Sequence, residues 1–280
     1  MRPESGKTQA DWAPQSWFTS QIEDDGVASY FGHKHNGYQR FRHARLAAML
    51  DTVKSTLARD AMLDVGCATG ALTECIRQRF GFDRAVAVDF VPEVLELGRK
   101  AYPVIEFREA ALPDLPFAAA EFDLVVASEV LYYLTPGAQK QAIDALSQMI
   151  RPGGYLLIGS ALGGVYFAPE RIRELLLTDF EIAAEETLHM RLYHALVSPF
   201  YYANRLDRLI GTGSLPGSEP MQARFNRLRP FLGVFPVRSL IHLFAVLGRP
   251  ILASESLPVF GNFLARLAAP SNIAILGRRR

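Results

Sequence analysis

The chain has 280 residues, 49% apolar and 21% charged, which is enough apolar material for a real core and too little charge bias for a disordered chain. Thirty basic residues balance twenty-nine acidic ones, which argues against a generally basic nucleic-acid binder, yet the charge is segregated. Up to Ser198 there are 19 basic and 26 acidic residues, a formal −7; after it there are 11 and 3, a formal +8, and all eleven late cations are arginine. Cys67 and Cys75 form neither a CxxC pair nor a ligand set, so no disulfide framework and no metal site are expected, and a reduced cytoplasmic compartment fits. The first residues lack the apolar stretch of a secretory signal. The most apolar window, Phe231 to Leu247, carries Pro236, Arg238 and His242 and falls short of the roughly 20 apolar residues of a span, so no transmembrane helix is expected.

In chain order, a polar N-terminal stretch precedes a helix from about Gln39 to Leu57. Short apolar runs then alternate with helices. Ala61 to Val65 reads as a first strand ended by Gly66, with a helix over Ala71 to Phe80. Ala85 to Asp89 reads as a second strand, followed by a helix opening at Pro92, and Glu106 to Arg108 as a third. Phe122 to Ala127 is the fourth, Thr135-Pro136 caps the next helix, and Arg151-Pro-Gly-Gly154 turns into a fifth strand over Tyr155 to Ile158. Phe180 to Leu188 and Asn272 to Gly277 are strands six and seven. Continuous apolar strands alternating with helices predict an α/β fold, a parallel sheet covered on both faces. The stretch between strands six and seven breaks that alternation. Its apolar residues recur at helical spacing after Pro236 and Pro258, which predicts a helical insertion. The expected division is an N-terminal segment with a lid helix (1–59), a core (60–198 with 271–280) and the insertion (199–270).

The chemistry concentrates at the end of the first strand, in Leu63-Asp64-Val65-Gly66-Cys67-Ala68-Thr69-Gly70. Small residues at 66, 68 and 70 let a ligand lie against backbone, and the following helix offers free N–H groups. The loop is neither GxGxxG nor a P-loop, which disfavours a pyrophosphate cradle and hydride transfer. Asp89 ends the second strand, where a carboxylate can take both hydroxyls of a ribose.

With these residues the sequence resembles class I S-adenosylmethionine-dependent methyltransferases, of the NodS-like branch. Asp64 to Gly70 is similar to the family's DxGxGxG loop with Ala68 for the middle glycine. Val88-Asp89 resembles the acidic end of strand two, Phe122 to Ser128 strand four, and Arg151 to Gly154 the turn before strand five. The likeness covers about residues 40–190 and 271–280 and implies a Rossmann-like seven-stranded sheet with S-adenosyl-L-methionine as cofactor. It implies that Gly66, Cys67, Ala68 and Gly70 approach the methionine part and ribose, and that Asp64 orients the methionine amine through water or loop N–H groups. Asp89 would bind the ribose and Phe90 would lie over the adenine. The family often has an acidic residue after strand three; here Ala110-Ala111-Leu112 stands there, so Ala111 and Leu112 are expected to hold adenine through backbone groups.

Ser128 and Glu129 follow strand four at the ligand edge of the sheet. Glu129 either orients and deprotonates an acceptor or contacts only cofactor and local backbone. One of Tyr132 and Tyr133 is expected to pack and the other to face the site, with Tyr133 a catalytic candidate. Tyr38 and Arg42, four apart, read as a lid face reaching the sulfonium region and the cofactor carboxylate, or as a solvated helix; His33 is a base candidate or a surface histidine. The expected activity is methyl transfer to nitrogen or oxygen of a small-molecule, glycan or lipid-like acceptor. The alternative is a cofactor-binding protein whose insertion docks a partner. A nucleic-acid substrate is disfavoured, because Ser128-Glu129-Val-Leu-Tyr-Tyr stands where base-amine methylating families carry [DNS]PP[YF]. The insertion either caps the acceptor pocket and touches a membrane periphery, its stripes flanked by Arg205, Arg208, Arg224, Arg227, Arg229, Arg238, Arg249 and Arg266, or packs on the sheet with solvated arginines.

Overall fold

The structure is a computed structural model that describes residues 37–162, 168–190, a set of helical positions between 193 and 230, and 234–254, 256–264 and 270–280. His33 and the arginines at 205, 208, 224, 229 and 266 lie outside the described residues.

The described chain falls into two compact units, one over 42–188 and 270–280 and the other over 37–41 and the residues described within 189–269. The first unit is a seven-stranded sheet in the order β3-β2-β1-β4-β5-β7-β6. Its strands are β1 (Ala61–Val65), β2 (Arg84–Asp89), β3 (Glu106–Glu109), β4 (Phe122–Ser128), β5 (Ile150–Ala161), β6 (Phe180–Leu188) and β7 (Asn272–Arg279). The helices of this unit are most of α1 (Gly37–Met49), then α2 (Ala71–Phe80), α3 (Pro92–Ala101), α4 (Pro136–Met149) and α5 (Pro169–Leu176). Each starts on local chemistry: Pro92, Pro136 and Pro169 occupy first turns, and Thr135 Oγ1 accepts the Ala138 N–H at 3.4 Å.

Every residue of β1 is buried, as are all but the last of β4 and all but the first of β2, which is why these strands are apolar without alternation. Leu63, Val86, Val125, Leu156 and Ile275 pack in one core with Ile143 and Leu146 of α4, each such burial worth about 1.5–3 kcal/mol. The edge strand β6 instead alternates between exposed and covered positions.

The sheet is mixed rather than wholly parallel. β7 lies between β5 and β6 and runs antiparallel to both. The reason is where the chain leaves and returns: Leu188 pairs with Asn272, and the Ser271 N–H reaches the Leu188 carbonyl at 2.9 Å. A chain that re-enters beside its exit point comes back in the opposite direction. The Arg151-Pro-Gly-Gly154 segment is not a free turn but a bulge inside β5, between the Phe122–Ile150 and Leu124–Tyr155 pairs. Asp123 explains that segment's arginine. Its Oδ1 accepts from Arg151 at 2.7 Å and its Oδ2 from the Ala61 N–H at 3.0 Å, stapling the starts of β1, β4 and β5.

In the second unit, α6 (Phe235–Ala253) and α7 (Ser256–Leu264) follow the residues described between 193 and 230. Arg40 donates to the Ala253 carbonyl at 2.5 Å, and Gly37 abuts Ser254 so closely that a Cβ would lie 1.9 Å from its oxygen. The sequence expectation of no transmembrane helix rested on the window Phe231 to Leu247, which is shorter than the helix that forms. α6 continues six residues past Leu247 through Pro250 to Ala253, and Pro236–Ala253 is long and apolar enough to cross a membrane by length and composition.

Candidate active site

The site is built at the carboxyl ends of β1, β2 and β4. The Gly66 and Cys67 N–H groups both donate to the Val88 carbonyl, at 2.8 and 3.0 Å, so the loop leaves β1 still tied to β2. Gly66, Ala68 and Gly70 all take left-handed backbone angles, φ +70°, +49° and +78°, which coil the loop and deliver Gly70 as the cap of α2. The alternation of small residues therefore has a backbone cause. It also has a packing cause: a Cβ on Gly66 would lie 2.0 Å from Val130 Cγ2, and one on Gly70 2.6 Å from the Phe107 ring.

Asp89 braces this loop from the next strand. Its Oδ2 accepts the Ala68 N–H at 2.9 Å and its Oδ1 the Val91 N–H at 3.1 Å, while its own carbonyl takes the Ala110 N–H at 3.0 Å. Burial pushes its carboxyl above the usual carboxylate range, opposed by these backbone donors. The Phe90 N–H is a third backbone donor to this carboxylate, which keeps acceptor capacity for a ligand hydroxyl.

Asp64 also ties the first strand to the helix after the loop. It is buried, and its Oδ2 accepts from Thr73 Oγ1 at 2.6 Å, binding β1 to α2. Desolvation raises its carboxyl to about 7, with the Thr73 hydrogen bond opposing and the Asp89 charge adding to the rise. Cys67 is buried, and burial raises its thiol, so it is a packed small residue.

Beside the loop lies a cavity of about 310 Å³ lined by Val65, Gly66, Asp89, Phe90, Ala110, Ala111, Leu112, Val130, Tyr133 and Leu134. Gly66, Asp89, Phe90, Ala111, Leu112 and Tyr133, singled out from the sequence, are brought together here. Asp64, Cys67, Ala68, Gly70, Ser128 and Glu129 do not line it. Val65, Val130 and Leu134 were not singled out; an apolar residue at a strand end or turn carries no local signal that it faces a cavity rather than the core.

Past β4 the chain makes a second strained turn. Glu129 sits at φ +60°, its N–H held by the Gly159 carbonyl at 2.7 Å. Ser128 is the last residue of β4, and a Cβ on Gly159 would lie 2.8 Å from its Oγ. The Glu129 carboxylate is gripped from two sides, by Arg42 Nη1 at 2.8 Å on Oε1 and by the Tyr132 hydroxyl at 2.8 Å on Oε2. Tyr132 is the packed tyrosine, its hydroxyl pushed well up by burial and by the Glu129 charge, and Tyr133 is the one at the cavity. The shared face expected for Tyr38 and Arg42 divides between partners. Tyr38, in the second unit, stacks on Tyr193 with centroids 5.8 Å apart, while Arg42 holds Glu129. Arg42, expected to reach the cofactor carboxylate, holds a protein carboxylate 87 residues away through Nη1, a pairing with no sequence signal. Among the described residues no cluster of His, Cys, Asp and Glu forms a metal site.

The comparisons with known proteins agree with this geometry. Residues 62–154 match the methyltransferase domain family. Nodulation protein S of Rhizobium tropici is 35% identical over 129 residues, 45% of this chain and 52% of that protein. The ubiquinone biosynthesis O-methyltransferase of Xylella fastidiosa strain M23 is 28% identical over 132 residues, with the same two shares. The chain thus spans about half the length of the curated relatives it matches. Among solved structures, N-methyltransferase NodS from Bradyrhizobium japonicum WM9 in complex with S-adenosyl-l-homocysteine aligns with TM-score 0.50 and 26% identity, over 62% of this chain and 88% of that one. The residues present fit the same cofactor: a carboxylate with spare lone pairs at the end of β2, a loop whose positions 66 and 70 exclude a Cβ, and an apolar slot at Phe90 and 110–112. Residues 62–154 thus carry a methyltransferase domain, and over about half its length the chain is similar to the NodS methyltransferases.

Proposed function

We propose that this protein transfers the methyl group of S-adenosylmethionine to a nitrogen or oxygen of a small-molecule, glycan or lipid-like acceptor. The observation that carries the proposal is Asp89 at the cavity, its two oxygens positioned by the Ala68 and Val91 N–H groups. When bound, the cofactor supplies an electrophilic methyl group for in-line displacement. Asp89 accepts from the ribose hydroxyls, and Phe90 with Ala110, Ala111 and Leu112 covers the adenine and excludes water. Tyr133 lies where an acceptor would enter, and Glu129, fixed in direction by Arg42 and Tyr132, is the carboxylate able to accept a hydrogen bond or proton from that acceptor.

Calorimetry with S-adenosylmethionine and its demethylated product tests the first half. Asp89→Ala is expected to weaken both by at least about ten-fold, since two charge-assisted hydrogen bonds are lost. A radiolabelled methyl-transfer screen over amines, hydroxylated aromatics, glycans and isoprenoid alcohols tests the second. Glu129→Gln should lower kcat more than cofactor affinity; lost affinity with unchanged kcat would refute the acceptor role. The grip of Arg42 and Tyr132 on Glu129 also favours a second reading, a cofactor-binding protein without transferase activity, which predicts full affinity and no transfer to any acceptor.

A further inference from the structure

Ten of the thirteen large apolar side chains exposed among the described residues fall between Val234 and Phe263. Within Pro236–Ala253 only Ala245 and Gly248 are buried, and Gly248 is where the helix meets Phe200, with a Cβ there 2.6 Å from that side chain. The packed face is narrow, running through Ile241, Ala245, Gly248 and Leu252 at helical spacing. Leu240, Leu243 and Leu247 form a bare face, bordered by Phe244, whose ring stacks on Phe200 with centroids 6.1 Å apart, and Val259, Phe260 and Phe263 of α7 are likewise exposed. Soluble surfaces rarely leave apolar patches of this extent uncovered.

Charge selects the occupant. Residues 189–269 contain nine arginines, no lysine and three acidic residues, a formal +6. On α6 the charged positions gather on one side, away from the bare face: Arg238, Arg249 and His242, the last tied to Asp207 at 2.9 Å. A second copy of the chain would bring the same cationic units together, whereas an anionic bilayer satisfies both the apolar face and the arginines. We infer that α6 and α7 seat the protein on an anionic membrane surface, lying in the plane of the interface. A spanning orientation is disfavoured because it would carry Arg238, His242 and Arg249 into hydrocarbon. In the plane, a 19-residue helix about 28 Å long sinks its apolar face below the headgroups and leaves the long arginine side chains among the phosphates. The inference stands independently of methyl transfer.

Flotation of the full-length protein with vesicles tests it, comparing phosphatidylglycerol-containing with pure phosphatidylcholine membranes at 0.1 M and 1 M salt. Attachment is expected on the anionic vesicles at low salt. It should weaken at 1 M, where the Debye length falls from about 10 Å to about 3 Å. Arg238→Gln with Arg249→Gln should lower partitioning by roughly 30-fold, and Leu240→Ser with Leu247→Ser should abolish it. Both double variants should bind S-adenosylhomocysteine as the unaltered chain does, which shows that they fold. Failure to float on anionic vesicles, equal binding to neutral ones, or a dimer in light scattering that Leu240→Ser with Leu247→Ser dissociates without any vesicle binding would each overturn the inference.

Discussion

The carboxyl edge of the sheet and the α6–α7 region are both rich in apolar residues, and they treat them oppositely. Leu63 in β1 is 0% exposed and Leu240 in α6 is 56% exposed. At the sheet edge even carboxyl groups are buried or half-buried, and each is given partners: buried Asp89 by backbone N–H groups, buried Asp64 by Thr73, half-buried Glu129 by Arg42 and Tyr132. In α6 the apolar groups themselves face outward. The lesson is that burial follows the task of a surface and not hydropathy alone. A site that must hold a polar ligand away from water buries charge at a cost and compensates each group. A surface that meets another apolar phase leaves its side chains uncovered.

The comparison can be broken most severely at Gly66. Gly66→Ala combines a left-handed backbone with a Cβ 2.0 Å from the branched side chain of Val130, and should destabilise the first unit by about 4 kcal/mol in urea unfolding. Adding Val130→Ala should recover part of that loss but not the backbone share. A smaller break uses one substitution in both regions. Leu63→Ala should cost about 3 kcal/mol, whereas Leu240→Ala should stay within about 0.5 kcal/mol, measured by the same unfolding curves. Equal costs would show that α6 is packed like the core.

Asp64 sharpens the comparison through pH. Its folded carboxyl is raised to about 7 from 3.8, so between those values the folded chain holds a proton that the unfolded chain has released. Stability from this group is therefore lost as pH rises from about 4 to about 7 and is level above, with a slope of at most about 1.4 kcal/mol per pH unit. Asp64→Asn keeps an acceptor for Thr73 and should remove that slope, read as melting temperature against pH. The smallest effect is at Ala68, whose φ of +49° suits glycine better. Ala68→Gly relieves left-handed strain but frees the unfolded chain, and should stabilise by about 0.5 kcal/mol with cofactor affinity retained.

Much of the first unit was legible in the residues. β1 and β2 appear where apolar runs end in Gly66 and Asp89, because buried parallel strands need no alternation and turns need such residues. Asp89, Phe90, Ala111, Leu112 and Tyr133 line one cavity because strand ends in an open α/β sheet converge on one edge. The antiparallel direction of β7 was not legible, since it depends on the chain returning beside Leu188 after some 80 residues. Nor was the partner of Glu129, because an ion pair across 87 residues leaves no periodic trace. By itself the sequence determined the order of strands along the chain, the small-residue loop after β1 and the place of the Asp89 carboxylate at the end of β2, all local consequences of side-chain size and backbone preference. Only the tertiary structure decided that Asp64 faces Thr73, that Arg42 holds Glu129 and that the apolar stripes of α6 stay bare, because each depends on which distant surface arrives within a few ångströms.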